Sequence, residues 1–142
     1  MTQRKKVLII CTGNSCRSIM AEALINHHLG DTWQAFSAGV NPSEVNKRAI
    51  EVMAEIGIDI TSSYSKSVAE FIQRDDLDLV ITVCGDARET CPMFYNPVEQ
   101  IHIGIEDPAP FTFFPDEEAL PKFRQIRDEI KNRIITALEV NC

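Results

Sequence analysis

Apolar residues along this chain follow two different periods. Val7 to Ile10 is an unbroken run of leucine and β-branched residues after solvated lysines, and "LDLVITVC" is a second run of the same kind. Runs this short, bounded by turn residues, suit strands buried on both faces of a parallel sheet. "WQAFSAG", ending at Gly39, and "EQIHIGI", closed by Asp107-Pro108, are two further candidate strands. Elsewhere the spacing is helical. Ser18 to Leu29 carries Ile19, Met20, Ala23, Leu24 and His27 on one stripe, with Gly30 as the stop. "NPSEVNKRAIEVMAEIG" offers Ser43 as N-cap, a buried stripe of Val45, Ala49, Val52, Met53 and Ile56, and Gly57 at the end. "SVAEFIQRDD" suggests a shorter helix, and "DPAPFTFFPDEEALP" reads as irregular, with Asp116 a candidate cap. Lys122 to Val140 describes a long terminal helix burying Phe123, Ile126, Ile130, Ile134, Ile135 and Leu138. There is no repeat, linker or low-complexity tract.

Strands alternating with helices imply one α/β domain over residues 1–142, with a mainly parallel sheet and helices on both faces. Such folds bind ligands beyond the carboxyl ends of their strands. Cys11, Cys84 and Asp107 each follow a candidate strand, so all three are expected at one sheet edge.

Composition narrows the partners. Apolar content of 44% and charged content of 25% belong to a soluble globular protein. A net charge of −7 argues against nucleic acid and anionic membranes, and an anionic ligand must find a local positive site. No segment reaches the ~20 apolar residues of a membrane span. The basic start "MTQRKKVLII" has only a short apolar run and lacks a small-residue cleavage site, so a cytoplasmic monomer is expected. Five cysteines, an odd number, are then expected as thiols available for chemistry.

The densest chemistry is C11-T-G-N-S-C-R17-S18, between the first strand and the first helix. A loop placed there aims backbone N–H groups inward, toward the positive end of the helix dipole. Gly13 and Asn14 are the residues that tolerate the left-handed torsions such a nest needs. Thr12, Gly13, Asn14, Ser15, Cys16, Arg17 and Ser18 thus form a candidate cradle for a tetrahedral oxyanion, with the Arg17 fork matching two of its oxygens. Cys11 lies at the floor, where helix N-termini and cations favour thiolate over thiol. Ser18 is placed to donate to its sulfur. The simpler reading is a tight turn with a buried cysteine and an exposed arginine.

"VLIICTGNSCRSIMAE" resembles the phosphate-binding loop of the low-molecular-weight protein tyrosine phosphatase fold. With "FSAGV", "LVITVCGDARETCP" and "GIEDPA", the chain more specifically resembles the arsenate reductases that share that fold and are coupled to thioredoxin. The resemblance implies a three-layer sandwich with a four-stranded twisted sheet in the order 2-1-3-4. It also implies that Cys11 attacks arsenate, that Cys84 displaces the arsenic from Cys11, and that Cys91 carries the disulfide outward to thioredoxin. Asp107 matches the family's general acid; a turn aspartate before proline is the plainer reading, and its rival Glu106 points elsewhere by strand alternation. Arsenate is the implied substrate, phosphate and sulfate its competitors, and no tightly bound cofactor is implied. Some relatives hold potassium with an asparagine, a glutamate, a serine and an aspartate. Asn14, Glu22 and Ser37 match the first three, but Lys66 stands in the fourth place, so an ammonium pairing with Glu22 is expected instead of a metal.

Two other functions compete. A phosphotyrosine phosphatase would need only Cys11, Arg17 and Asp107, but "DPAPFTFF" lacks the tyrosine pair that such enzymes carry after the acid. Cys11, Cys16, Cys84 and Cys91 could also be two halves of a structural zinc site, although their gaps of four and six residues are not the usual two. Cys16 reads as a core-facing bystander and Cys142 has no assignable role. His27, His28 and His102 lack metal-ligand spacing, and Trp33 is a single apolar anchor.

Overall fold

A computed structural model describes residues 4–84, 94, 96 and 98–140. Cys91 and Cys142 lie outside the described residues. Four strands form one sheet: β1 (Lys5–Cys11), β2 (Trp33–Gly39), β3 (Leu79–Thr82) and β4 (Glu99–His102). Their order is β2-β1-β3-β4 and every neighbouring pair is parallel. Val7 and Ile9 point to one face of β1, Leu8 and Ile10 to the other, and all four have 0% exposure. The central strand is therefore covered on both sides, as its unbroken apolar run implies. β4 is the more exposed of the two edge strands, with Glu99, Gln100 and His102 exposed.

The helices pack around this sheet. α1 (Arg17–His28) buries Ile19, Met20, Ala21, Leu24 and Ile25, so Ile25 takes the place expected of the exposed His27. α2 (Lys47–Ala54) buries Ala49, Val52 and Met53, whereas Ile56 is exposed beyond its end. Its N-cap is Asn46 rather than Ser43: Asn46 Oδ1 accepts from Arg48 N at 2.8 Å and Ala49 N at 3.3 Å. Ser43 is diverted because its own N–H donates to Gly13 O at 2.9 Å, which keeps the chain extended beside the anion loop.

Two further expectations change. "SVAEFIQRDD" makes only a 3-10 turn, Val68–Glu70. There the chain bends so that Phe71 packs against Phe36, while Arg74 stacks over both rings and forks onto Asp76 at 2.8 and 2.6 Å. The terminal helix starts six residues before Lys122, as α3 (Asp116–Ile130). Asp116 is its first residue rather than its cap. Asp116, Glu117 and Glu118 in the first turn complement the helix dipole, which offsets the bond lost at Pro121. α3 then passes through a π-helical turn, Lys131–Ile135, into α4 (Thr136–Val140). Phe123, Ile126, Ile130, Ile134 and Leu138 are buried along this length, while Ile135 is partly covered. Among the described residues, no helix is long and apolar enough to cross a membrane.

Candidate active site

The loop after β1 faces its amides inward because a neighbouring segment takes up its carbonyls. Val40 N donates to Cys11 O (3.1 Å), Asn41 N to Thr12 O (2.8 Å), Ser43 N to Gly13 O (2.9 Å) and Asn46 N to Ser15 O (2.8 Å). Ser65 Oγ donates to the remaining carbonyl, Asn14 O, at 2.8 Å. In a planar trans peptide the N–H points opposite to the preceding C=O. Five carbonyls held outward therefore turn the N–H groups of residues 12 to 16 toward the interior of the loop. This brace fits only because residue 39 is glycine: a Cβ there would lie 2.7 Å from Thr12 O and 2.8 Å from Asn14 N.

Asn14, rather than Gly13, adopts the left-handed torsion, with φ 49°. It is fully buried, and each of its polar groups is used. Its N–H donates to Cys11 Sγ (3.2 Å), its Nδ2 to Ser18 Oγ (2.8 Å), and its Oδ1 accepts from Lys66 N (2.7 Å). Since Ser18 Oγ accepts from Asn14, its own hydrogen is left for Cys11 Sγ, 2.8 Å away. The sulfur at the floor thus receives hydrogen bonds from a backbone amide and a hydroxyl. Gly13 serves by its size, because a Cβ there would come within 3.0 Å of Ser43 Oγ.

Arg17 begins α1 and is 8% exposed. Its Nη1 donates to Ile105 O at 3.2 Å, and Nη2 lies 3.6 Å from Asp107 Oδ1. Ile105 N in turn donates to Val83 O, so the stretch leading to Asp107 is stitched to the end of β3. Cys84, 8% exposed, lies two residues past β3, and its sulfur is 3.1 Å from Thr12 Oγ1. Thr12, Arg17, Val83, Cys84, Gly104, Ile105 and Asp107 line one open cavity of about 380 Å³. Cys11 ends β1, and Cys84 and Asp107 reach the loop that follows it through Thr12 and Arg17, so all three lie at the carboxyl end of the sheet, as their positions after strands imply. Cys16 is buried in the core, and burial, reinforced by Cys11, pushes its thiol far above the ordinary range.

Lys66 supplies the cation beside this loop. Its Nζ lies 3.9 Å from Glu22 Oε1 and donates to Tyr64 O at 3.1 Å, while Ser37 Oγ donates to Glu22 Oε1 at 3.1 Å. Burial raises the Glu22 carboxyl and Lys66 counteracts it. An ammonium already among these oxygens leaves a donor set that does not suit a potassium ion. Among the described residues, no group of three or more His, Cys, Asp or Glu is placed to hold a metal. The carbonyl brace from Val40 to Asn46 and the contribution of Ser65 escaped sequence reasoning; a glycine ending β2 beside the loop was the one local sign of close approach.

The family model described as low molecular weight phosphotyrosine protein phosphatase matches residues 6–140. An arsenate reductase of Halalkalibacterium halodurans is 44% identical over 137 residues, spanning 96% of this chain and 96% of its own. The solved structure of an arsenate reductase in the phosphate binding state superposes with a TM-score of 0.77 at 32% identity, covering 95% of this chain and 97% of that one. The low molecular weight protein tyrosine phosphatase of T. tengcongensis superposes with a TM-score of 0.72 at 29% identity, over 95% and 98% of the two chains. Sequence and fold agree along nearly the whole length, and the chain belongs to the low molecular weight phosphotyrosine protein phosphatase family, among its arsenate reductases.

Proposed function

We propose that this protein reduces arsenate to arsenite with three of its own thiols, Cys11, Cys84 and Cys91, and is returned to its dithiol state by thioredoxin. The observation that carries the reading is that the amide cradle holding Cys11 at its floor is joined through Thr12 to a second thiol, Cys84, which lines the adjoining cavity together with Arg17 and Asp107.

Arsenate enters with its oxygens on the loop amides and the Arg17 fork. The Cys11 thiolate attacks arsenic and an As–O bond breaks. Asp107 gives its proton to the leaving oxygen, which departs as water. Arsenic remains in its +5 state as a thioester. The Cys84 thiolate then attacks Cys11 Sγ, and the S–As electron pair passes to arsenic. Arsenite leaves in the +3 state, and the two thiols are oxidised to a Cys11–Cys84 disulfide. Cys91 attacks Cys84 Sγ, freeing Cys11 and moving the disulfide to Cys84–Cys91, where a thioredoxin dithiol reduces it. Phosphate and sulfate, of similar shape, compete for the cradle, and slow phosphatase turnover is a side activity of the same site. The reaction belongs in a reducing compartment, the cytoplasm.

Steady-state arsenate reduction with thioredoxin, its reductase and NADPH tests this. Cys11→Ser and Cys84→Ser abolish turnover, Cys91→Ser permits at most one, and Cys16→Ser leaves cycling intact. A Cys91→Ser variant that cycles as fast as the parent shows the relay assignment to be wrong. Stoichiometric zinc in reduced protein, lost on Cys84→Ser, would favour the structural-metal alternative.

A further inference from the structure

Arg48, the second residue of α2, matches no motif and is not among the residues lining the cavity of Cys84 and Asp107. We infer that it is a positioning residue for proton transfer: its guanidinium ties the segment after Asp107 to the turn of α2 that braces the anion loop, and so sets the spacing between nucleophile and acid. The inference rests on the reading of Asp107 as the proton donor.

Bonds from one planar group reach this segment at three points. Nη1 donates to Phe111 O at 3.0 Å, Nη2 to Phe114 O at 2.7 Å, and Nε to Asp116 Oδ1 at 3.2 Å. Two residues earlier, Asn46 N donates to Ser15 O of the anion loop, and Asn46 Oδ1 caps the helix. A single helical turn therefore grips the cradle with one residue and the acid-bearing segment with another. Among its phenylalanines, apolar burial holds this segment only at Phe111, which packs against the core. Phe113 is 93% exposed, Phe114 is 42% exposed, and Phe111 stacks edge-on with Phe114 inside the same stretch. On the opposite flank, Lys122 bonds Glu106 Oε1 at 2.7 Å and lies over the Phe111 ring, an exposed contact with no tie to the loop. The Arg48 side chain is 19% exposed; its bond to Phe111 O is partly buried, while those to Phe114 O and Asp116 lie at the surface. The three acceptors diverge around a rigid fork. An ammonium on a flexible stem reaches one or two of them, never all three.

The test is the rate of arsenite release in one turnover at saturating arsenate without reductant, set beside the affinity for inorganic phosphate measured by calorimetry. A misplaced reacting group of this kind costs about tenfold to a hundredfold. Arg48→Ala is expected to slow release by that factor while phosphate affinity stays within about twofold, because the cradle keeps its brace from Asn46. Arg48→Lys is expected to fall between the parent and Arg48→Ala. In an Asp107→Asn background, Arg48→Ala is expected to cost nothing further, since both changes remove one function. The same loss repeated in that background, or a parallel fall in phosphate affinity, overturns the inference. So does a parent rate in Arg48→Lys, which also serves if Arg48→Ala melts too early to assay. If Asp107→Asn alone releases arsenite at the parent rate, the acid reading fails and the inference falls with it, a result that needs no Arg48 variant to recognise.

Discussion

Lys66 does two things from one position: its N–H holds Asn14 Oδ1 at 2.7 Å, and its ammonium faces Glu22 at 3.9 Å. The first fixes the left-handed residue of the loop, and the second sets a positive charge against the Glu22 carboxylate, in the place where the resemblance leads one to expect a potassium ligand. Arsenate reduction is therefore expected to be unchanged by potassium at fixed ionic strength, and Lys66→Asp to acquire a dependence on it. A several-fold gain in the parent on replacing sodium by potassium would contradict this. At this scale the chemistry of the loop was legible because it is contiguous: Cys11, Arg17 and Ser18 lie within eight residues and needed no knowledge of the fold. Asn14 was legible only as a residue tolerant of an unusual torsion. Its use as a hub depends on Ser65 and Lys66, which are 51 and 52 residues away, and no local pattern announces them.

Among elements, the segment joining β2 to α2 matters more for function than its irregular sequence suggests. It turns the loop amides inward, and Gly39 is where it comes closest. Gly39→Ala places a methyl group against backbone atoms 2.7 and 2.8 Å away, so the loop must shift. The variant is expected to lose phosphate binding by calorimetry and to unfold about 1–3 kcal/mol more easily in urea; native phosphate affinity would count against the brace. A second element-level device is the turn before β3, where Arg74 forks onto Asp76. The side-chain bonds from Arg74 pull this carboxyl from 3.8 down to about 2. The fold thus favours the ionised form, and its contribution is present above about pH 4 and disappears as the pH falls toward 2. Melting temperatures between pH 5 and 2 should therefore converge for the parent and Asp76→Asn; a gap constant across that window refutes the assignment. Element types were legible where apolar periodicity was long, as in β1, β3 and α1. They were misread where tertiary bonds overrode local signals. Ser43 was captured by the loop before it could cap, and Pro121 hid a helix start that three acidic residues supply.

For the whole molecule, the question is how a chain of net charge −7 would hold the doubly charged anion that the proposed reaction requires. The answer is local: main-chain amides and one guanidinium, gathered at the carboxyl edge of the sheet, outweigh a distant repulsion that solvent screens over about 8 Å at physiological salt. The convergence of Cys11, Cys84 and Asp107 on that edge was legible from strand alternation alone. The inward-facing cradle was legible from the loop's place between strand and helix, though not the segment that enforces it. The most direct test is alkylation of individual cysteines by iodoacetate at neutral pH, followed by mass spectrometry with and without inorganic phosphate. Cys11 is expected to be modified first, well ahead of the core thiol Cys16, and phosphate is expected to protect it. Cys11 reacting no faster than Cys16, with phosphate making no difference, would contradict this.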